Sequence, residues 1–283
     1  MRTNIICKEL INKFQLKKII LLYKSHNSII YKCVTDKCEE IVIKKFLDKK
    51  YFDTSIIFYN NFPKLPLCHL YDVDNKNEIQ ILEYVEGVTI SKIKDYKKRL
   101  KVGFEFLNSW SFCVKTMEIE ELMYSKIVDN MLNESSKITL FFEAKILLNN
   151  FKKYFENFNS KYNTSYLIHG DLHYDNLIYN GKNLIAIDPS PKIASFAIEV
   201  AKLIENELFI DVNLIEEKLN QVIKIFKFDI IGEEELLEGL FIDSCRRTFD
   251  SYLRGDDEQT FIKGIKVNNE ILNFLERRKM YEF

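Results

Sequence analysis

Apolar residues in the first third of the chain come in short runs separated by polar turns. Glu40–Phe46 alternates apolar and polar positions with the two-residue period of a β-strand. Two helical stretches, Glu9–Phe14 and Tyr51–Phe62, are predicted in the same region. The five predicted strands are Ile19–Tyr23, Ile29–Val34, Glu40–Phe46, Leu67–Val73 and Glu78–Val85. Short turns join most of these strands, which favours a small antiparallel sheet.

Beyond residue 90 the apolar residues recur every three or four positions, which is typical of helices. Leu100, Phe104 and Leu107 show this spacing, and Trp110 is predicted to lie in the same core. Three amphipathic helices are predicted near the end, at Val212–Phe226, Glu233–Tyr252 and Thr260–Arg277. Met117–Ser136 lacks a clear period, and we interpret it as an insertion. The chain is therefore predicted to have an α+β fold, with a small sheet followed by a larger, mostly helical part.

Length and composition limit the possible classes of protein. With 283 residues, of which 47% are apolar, the chain is near the size at which one core gives way to two. Its formal net charge is -1, with acidic and basic residues mixed along the chain. A strongly basic nucleic-acid binder is thereby excluded, and we expect no nucleic-acid partner.

The cysteines and the first residues point to a reducing compartment. The six cysteines form no paired CxxC motif, which predicts free thiols. Met1–Glu9 lacks the apolar stretch of a signal peptide, and no apolar run approaches the length of a membrane span. We therefore expect a cytoplasmic protein without a membrane partner.

The most informative stretch runs from Tyr166 to Pro189. An apolar run leads into His169-Gly-Asp171, and Asn176 follows five residues after the aspartate. A second apolar run, a turn around Asn180 and a third apolar run then lead to Asp188. This order predicts strand, loop, strand, turn and strand, which would bring three oxygen-bearing side chains together.

Three such side chains suit phosphoryl transfer. Mg²⁺ prefers hard oxygen ligands, and a carboxylate must accept the proton of the attacking hydroxyl. Asp171 is our candidate for the base, and Asn176 and Asp188 are the candidate metal ligands. ATP or GTP would be the phosphoryl donor, with Mg²⁺ as the cofactor.

The same stretch resembles a known family of small-molecule kinases. His169-Gly-Asp-Leu-His-x-x-Asn followed by Ile187-Asp-Pro resembles the aminoglycoside phosphotransferase family. Ala186-Ile-Asp-Pro, with Glu199-Val-Ala after it, is most similar to the streptomycin and hydroxyurea-type antibiotic kinases. The resemblance implies a two-lobed, protein-kinase-like fold. Gly87 is the natural pivot, which divides the chain into an N-lobe of residues 1–87 and a C-lobe of residues 88–283.

The resemblance also implies a set of nucleotide-binding residues. Lys44 would bind the α- and β-phosphates, because Val42 and Lys44 share one face of their strand. Glu83, Tyr84 and Val85 would form the hinge that binds the adenine through backbone groups. The predicted hairpin turn before residue 29 lacks glycine, so Ser28 and its polar neighbours Ser25 and Asn27 are the candidate phosphate contacts by analogy.

Besides the missing glycines, the sequence departs from the family at Ser55 and at Ser195. Ser55 stands where the family places the glutamate that pairs with the strand lysine, and Asp53 is the nearest carboxylate. Ser195 replaces the aspartate of a Gly-Asp-Pro motif, although serine can still cap the helix that follows. Of the two loop histidines, His169 is predicted to be structural and His173 to shape the loop.

The acceptor implied by the resemblance is a hydroxyl of an aminoglycoside-type antibiotic. A metabolic amino alcohol or sugar derivative is the alternative acceptor. A hypothesis of a different class is that the protein is a nucleotide-binding pseudokinase. Five carboxylates have two possible interpretations: they lie on ordinary helix surfaces, or they line an acidic pocket for a polycationic acceptor. They are Glu205, Glu234, Glu238, Asp243 and Asp250. Asp243 is also predicted to form a surface ion pair with Arg246, one helical turn away.

Overall fold

The structure is a computed structural model, which describes residues 8–62, 64–111, 119–227 and 229–281. The chain forms two units. The first unit contains the chain up to Val88 together with Ile178–Ser190. The second contains Thr89–Leu177 and the chain from Pro191 onward. The segment Ile178–Ser190, which carries Asp188, thus belongs to the first unit.

The first unit is built on a five-stranded antiparallel sheet. Its strands are β1 (Leu16–Lys24), β2 (Ser28–Thr35), β3 (Glu40–Phe46), β4 (Leu70–Asp74) and β5 (Ile79–Glu83), in the order β1-β2-β3-β5-β4. Helix α1 (Lys8–Lys13) precedes the sheet, and helix α2 (Lys49–Asn61) follows β3. Asp48 caps α2 by accepting a hydrogen bond from the Lys50 backbone N–H. The middle position of β3 places its residues between two neighbouring strands.

Apolar side chains on the two faces of this sheet form two separate clusters. One contains the fully buried Ile43, Ile79 and Ile81 and reaches α1. The other contains Leu82 and Val85, and the returning segment packs against it through three partly buried isoleucines. They are Ile178, Ile185 and Ile187. This packing explains why the segment belongs to the first unit although it is distant in sequence.

A second, smaller sheet includes the returning segment. It has the order β6-β8-β9, with β6 at Val88–Thr89, β8 at Leu177–Tyr179 and β9 at Leu184–Ala186, while β7 is at Tyr166–Ile168. Gly87 precedes β6, and a Cβ atom there would lie 2.3 Å from the Tyr179 carbonyl oxygen. Only glycine allows so close a backbone approach.

The second unit is mostly helical. Its helices are α3 (Tyr96–Ser111), α4 (Tyr124–Ser135), α5 (Phe142–Lys161), α6 (Phe196–Ile210), α7 (Ile215–Ile225), α8 (Glu233–Leu253) and α9 (Glu258–Tyr281). Helix α8 packs against α4, α5, α6 and α9, and strand β10 (Lys192–Ala194) pairs with β7. Trp110, Phe151 and Phe241 are fully buried in this unit. The predicted fold class and the core position of Trp110 are therefore confirmed.

Met117–Ser136, which we interpreted as an insertion because it lacks a clear period, contains a helix. Met117 lies outside the described residues, but most of the segment forms α4. Tyr124, Val128 and Met131 are buried along one side of this helix. The apolar stripe holds about one residue per turn and is surrounded by polar residues, so its helical period was missed.

The described cysteines agree with the expectation of free thiols. Cys33, Cys68 and Cys245 are free and buried, and Cys38 is free and exposed. Cys7 and Cys113 lie outside the described residues. Within the described residues, no helix is both long and apolar enough to cross a membrane.

Candidate functional site

Lys44 and Asp188 form an ion pair in the first unit. Lys44 is almost completely buried on β3, whereas 39% of the Asp188 side chain is exposed. The Lys44 ammonium also lies 4.4 Å from the centre of the Phe46 ring. A buried ammonium needs a charged partner, and Asp188 supplies it.

Helix α2 does not supply a carboxylate to Lys44 in this structure. Ser55 is buried and exchanges hydrogen bonds with Gln80, whose strand position is directly opposite Lys44. Asp53 is exposed and pairs with Lys49 one helical turn away. Asp53 is therefore not a substitute for the missing glutamate, because it lies on another face of the helix.

The backbone before Asp188 is fixed by hydrogen bonds to residues that precede β4. The Ala186 N–H donates to the Pro66 carbonyl at 2.8 Å, and the Cys68 N–H donates to the Ala186 carbonyl at 3.0 Å. Asp188 itself has a φ of 58°, a left-handed conformation that is uncommon for a residue other than glycine. Such strain is often found where a side chain must be held in one direction for function.

The three predicted hinge residues lie at the end of β5 and directly after it, and they have different surroundings. The Glu83 carboxylate accepts a hydrogen bond from the His69 N–H at 2.9 Å, and the Glu83 N–H donates to the His69 carbonyl at 2.8 Å. The ring of Tyr84 lies 3.7 Å from the Lys32 ammonium. Val85 is buried with Leu82. Sheet pairing and packing thus hold the segment in place through Glu83 and Val85.

The predicted phosphate-contacting turn is closed by one of its own serines. The Ser25 hydroxyl oxygen accepts hydrogen bonds from the Ser28 N–H at 3.0 Å and from the Asn27 N–H at 3.2 Å. Ser28 is buried at the start of β2. These two backbone donors are already used in the structure, unlike those of a glycine-rich phosphate loop.

Asp171 and Asn176 come together in the second unit. The Asn176 side-chain N–H donates to the Asp171 backbone carbonyl at 2.8 Å, and the Asn176 backbone N–H donates to the His173 carbonyl at 2.9 Å. Asn176 is buried, while 45% of the Asp171 side chain is exposed. The loop backbone is therefore fixed while the carboxylate of Asp171 remains accessible.

The two loop histidines have the structural roles predicted for them. His169 is fully buried, and its ring lies edge-on to Trp110 with 5.9 Å between the ring centres. His173 accepts a hydrogen bond from the Asp175 N–H at 3.2 Å and so caps the short helical turn Tyr174–Asn176. Both side chains shape the loop around Asp171.

Two ionisable side chains that the sequence analysis did not place at the site hold the peptide groups of Gly170. The Gly170 N–H donates to a carboxylate oxygen of Glu199 at 2.8 Å, and the Gly170 carbonyl accepts from the Lys192 ammonium at 2.6 Å. Gly170 has a φ of 75°, which favours glycine at this position. Burial raises the pKa of Glu199 to about 7. Glu199 was predicted to be structural, but no feature of the sequence pointed to Lys192.

A buried charge network lies on α6 and α8. Asp243 is fully buried and pairs with Lys202 at 2.5 Å and with Arg246 at 3.0 Å, and it accepts a hydrogen bond from Tyr124 at 2.7 Å. Burial alone would raise the pKa of Asp243, but Arg246 and Lys202 hold it well below its usual range. The predicted surface ion pair of Asp243 and Arg246 is thus buried, because α8 is covered by several neighbouring helices.

The other four carboxylates of the suggested acidic pocket are also paired. Glu205 pairs with Arg247, Glu234 with Lys161 and Lys279, Glu238 with Lys279, and Asp250 with Arg246. Burial, and next the charge of Asp243, raise the pKa of Glu205 to about 7. The five side chains therefore do not form a pocket of unpaired carboxylates for a polycation.

Ser195 caps α6 as the sequence predicts. Its hydroxyl oxygen accepts a hydrogen bond from the Ala197 N–H at 3.0 Å, and the hydroxyl donates to Glu235 at 2.6 Å. The serine is fully buried. The change from the aspartate of the family motif leaves the helix capped.

The residues present have the right donor chemistry for a magnesium ion. The side-chain nitrogen of Asn176 donates a hydrogen bond to the Asp171 carbonyl. The side-chain oxygen of Asn176 is therefore the atom of this amide that can bind a metal. Asp188 offers a partly exposed carboxylate. Hard oxygen atoms of these two kinds are the ligands that Mg²⁺ prefers.

This chain matches known proteins by structure and not by sequence. No protein-family model matches it, and no curated protein matches its sequence. Solved structures of small-molecule kinases match almost its whole length. The choline kinase LicA from Streptococcus pneumoniae has a TM-score of 0.69 at 14% identity, covering 95% of this chain and 97% of that one. The chain has the protein-kinase-like fold.

Two ligand-bound structures show the same similarity. Amicoumacin kinase hAmiN, in complex with AMP-PNP, Ca²⁺ and Ami, has a TM-score of 0.66 at 12% identity, covering 94% of this chain and 93% of that one. The streptomycin–ATP complex of APH(2")-IIa has a TM-score of 0.58 at 15% identity, covering 94% of each chain. At such identities the similarity establishes the kinase-like fold.

Proposed function

We propose that this protein is an ATP- and Mg²⁺-dependent phosphotransferase that acts on a hydroxyl group of a small molecule. The observation that carries the proposal is the geometry of the loop around Asp171. The Asp171 carboxylate is accessible, whereas the backbone on both sides of it is fixed by Asn176, Glu199 and Lys192. A fixed base next to open space is what deprotonation of a bound hydroxyl requires.

The proposed reaction gives each candidate residue a role. Asp171 accepts the proton of the acceptor hydroxyl, the hydroxyl oxygen bonds to the γ-phosphorus of ATP, and the bond to the β,γ-bridging oxygen breaks to release ADP. Lys44 binds the α- and β-phosphates. Asn176 and Asp188 would hold Mg²⁺, which would supply positive charge to neutralise the phosphates. The reaction needs positioning and electrostatic stabilisation, and no covalent enzyme intermediate.

Nucleotide binding is assigned to the first unit. The backbone of Glu83, Tyr84 and Val85 binds the base, and the apolar cluster around Val85 packs against it. The Ser28 hydroxyl is the proposed contact of the turn with the phosphates. Solved structures of the same fold with AMP-PNP, with AMP and with ATP support a nucleotide ligand.

Aminoglycoside-type antibiotics are the first acceptor class to test, because of the motif around Asp171 and the streptomycin complex of a similar structure. A small amino alcohol is the second candidate. It is favoured by the pairing of the five carboxylates on α6 and α8, which removes the suggested site for a polycation. The choline kinase similarity agrees with it. One cationic group needs fewer free carboxylates than several do.

The proposal is tested by release of ADP from Mg-ATP in the presence of single acceptors. The panel contains streptomycin, other aminoglycosides, choline, ethanolamine and fructosamines. Turnover with one class, lost in Asp171→Asn, would support the kinase and identify its acceptor class. Binding of ATP without turnover on any acceptor would favour a nucleotide-binding pseudokinase.

A further inference from the structure

Lys192 contacts the loop of the proposed active site but has no chemical step in the proposed reaction. It is the first residue of β10, and its backbone pairs with Ile168, the last residue of β7. Strand β7 leads directly into the loop with Gly170 and Asp171. The register of two short strands therefore places the Lys192 side chain where this loop begins.

The side chain of Lys192 acts on the peptide that precedes the catalytic carboxylate. Its ammonium donates to the Gly170 carbonyl at 2.6 Å. This carbonyl belongs to the peptide group that joins Gly170 to Asp171. The N–H of Gly170 is held by Glu199 at 2.8 Å, so both polar backbone groups of this residue are bound to ionisable side chains. We propose that Lys192 is a positioning residue that fixes the Gly170–Asp171 peptide and thereby aims the Asp171 carboxylate.

This inference rests on the proposed function, since Asp171 is the base of that reaction. A charge-assisted hydrogen bond is roughly twice as strong as a neutral one, so an ammonium fixes the peptide better than a neutral donor would. The positive charge of Lys192 also lies close enough to Asp171 to interact with its negative charge. Both effects favour one orientation of an ionised carboxylate.

The surroundings of Lys192 disfavour the charged form of its side chain. Burial, and next the nearby positive charges of Lys202 and Arg246, lower the pKa of Lys192 to about 8. The negative charges of Asp171 and Asp243 act in the opposite direction. The charged and titratable groups around it include Asp171 on the loop, Glu199 and Lys202 on α6, and Asp243 and Arg246 on α8. A lysine in such surroundings is a candidate for a functional role.

Three variants separate positioning from simple packing. Lys192→Met keeps the length of the side chain but removes its charge and its donor, and Lys192→Gln keeps a neutral donor. Lys192→Arg keeps the charge and the donor. Lys152→Met is the matched control, because Lys152 is exposed on α5. Circular dichroism and thermal unfolding show that each variant folds.

The first readout is amide hydrogen exchange of residues 169–172, which needs no turnover. We expect faster exchange in Lys192→Met and Lys192→Gln, and near wild-type exchange in Lys192→Arg and in the control. Unchanged exchange in folded Lys192→Met would overturn the inference. Should the wild type turn over no acceptor, the proposed function would fail, and exchange would still decide whether Lys192 holds the loop.

The second readout is the pH profile of turnover on the acceptor found with the panel. We expect kcat to fall about 100-fold in Lys192→Met, with little change in the KM for ATP, because a small misplacement of a reacting group has effects of this size. Wild-type activity should fall above about pH 8, as Lys192 loses its proton. In Lys192→Arg this fall should move to higher pH. An alkaline limb that is the same in both proteins, or a wild-type kcat in Lys192→Met, would contradict the inference.

Discussion

Lys44 and Asp188 form an ion pair although 144 residues separate them in the chain. The pair exists because the segment Ile178–Ser190 belongs to the same unit as β3. Asp188 thereby provides the carboxylate that α2 does not, since Ser55 bonds to Gln80 instead. Two candidate site residues predicted from separate motifs are thus in direct contact.

Replacing Lys44 should weaken both nucleotide binding and turnover. In Lys44→Met we expect kcat/KM for ATP to fall by roughly 100-fold or more, because the phosphates lose a charged contact that a methionine cannot provide. Steady-state kinetics at varied ATP measures this. Asp53→Asn is the control, and we expect it to stay within about 2-fold of the wild type because exposed ion pairs contribute little. A large loss in Asp53→Asn would mean that α2 supplies the partner of Lys44 during turnover.

Ionisation of Glu199 should make the protein less stable as the pH rises. Its pKa is about 7 in the folded protein and 4.5 in the absence of burial. The contribution of neutral Glu199 to the free energy of unfolding is therefore fully present below about pH 4.5. It is lost as the pH rises to about 7, which lowers the free energy of unfolding by roughly 3 kcal/mol. Glu199→Gln keeps the acceptor for the Gly170 N–H but cannot ionise, so its stability should decline less. Urea unfolding of both proteins at pH 5 and pH 8 measures the difference, and equal declines would count against it.

The buried network around Asp243 should contribute far more to stability than an exposed ion pair. Asp243→Ala leaves Lys202 and Arg246 buried without this partner, and we expect a loss of about 3–5 kcal/mol. Glu105→Ala breaks an exposed contact of 3.9 Å with Lys101 and should cost no more than about 1 kcal/mol. Chemical unfolding at neutral pH compares the two variants. Similar losses in both would show that the network is not held together by buried charge.

Gly87 should not tolerate a larger residue. A Cβ atom would lie 2.3 Å from the Tyr179 carbonyl oxygen, so the backbone must move in Gly87→Ala, at a cost of about 1–3 kcal/mol. Gly232 has a negative φ of -86° and no atom within 4 Å of the added Cβ. Gly232→Ala should therefore lower the free energy of unfolding by less than about 1 kcal/mol. Equal thermal shifts in the two variants would contradict this account.

The elements of the fold were predictable from the sequence where the period of apolar residues is strong. The strand Glu40–Phe46 has the predicted bounds in the structure. Helix α4 was missed because its buried side holds single apolar residues such as Val128 and Met131 among polar ones. Local periodicity also contains no information on which distant segment completes a core, so the membership of Ile178–Ser190 in the first unit could not be derived from it.

The candidate site was predictable where a motif defines it and not where packing does. Asp171 and Asn176 lie in one motif, and the structure joins them by a hydrogen bond. Lys192 lies outside any motif, and its contact with Gly170 depends on the register of β7 and β10. The burial of Asp243 likewise depends on which helices cover α8.

The central claim is that Asp171 is the base of a small-molecule kinase. The most direct measurement is ADP release from Mg-ATP with the acceptor panel, for the wild type and for Asp171→Asn side by side. We expect one acceptor class to stimulate release by the wild type, and the stimulation to fall by at least about 100-fold in the variant while ATP binding is kept. Equal stimulation in both proteins would contradict the role of Asp171. Tight ATP binding without stimulation by any acceptor would contradict the phosphotransferase itself.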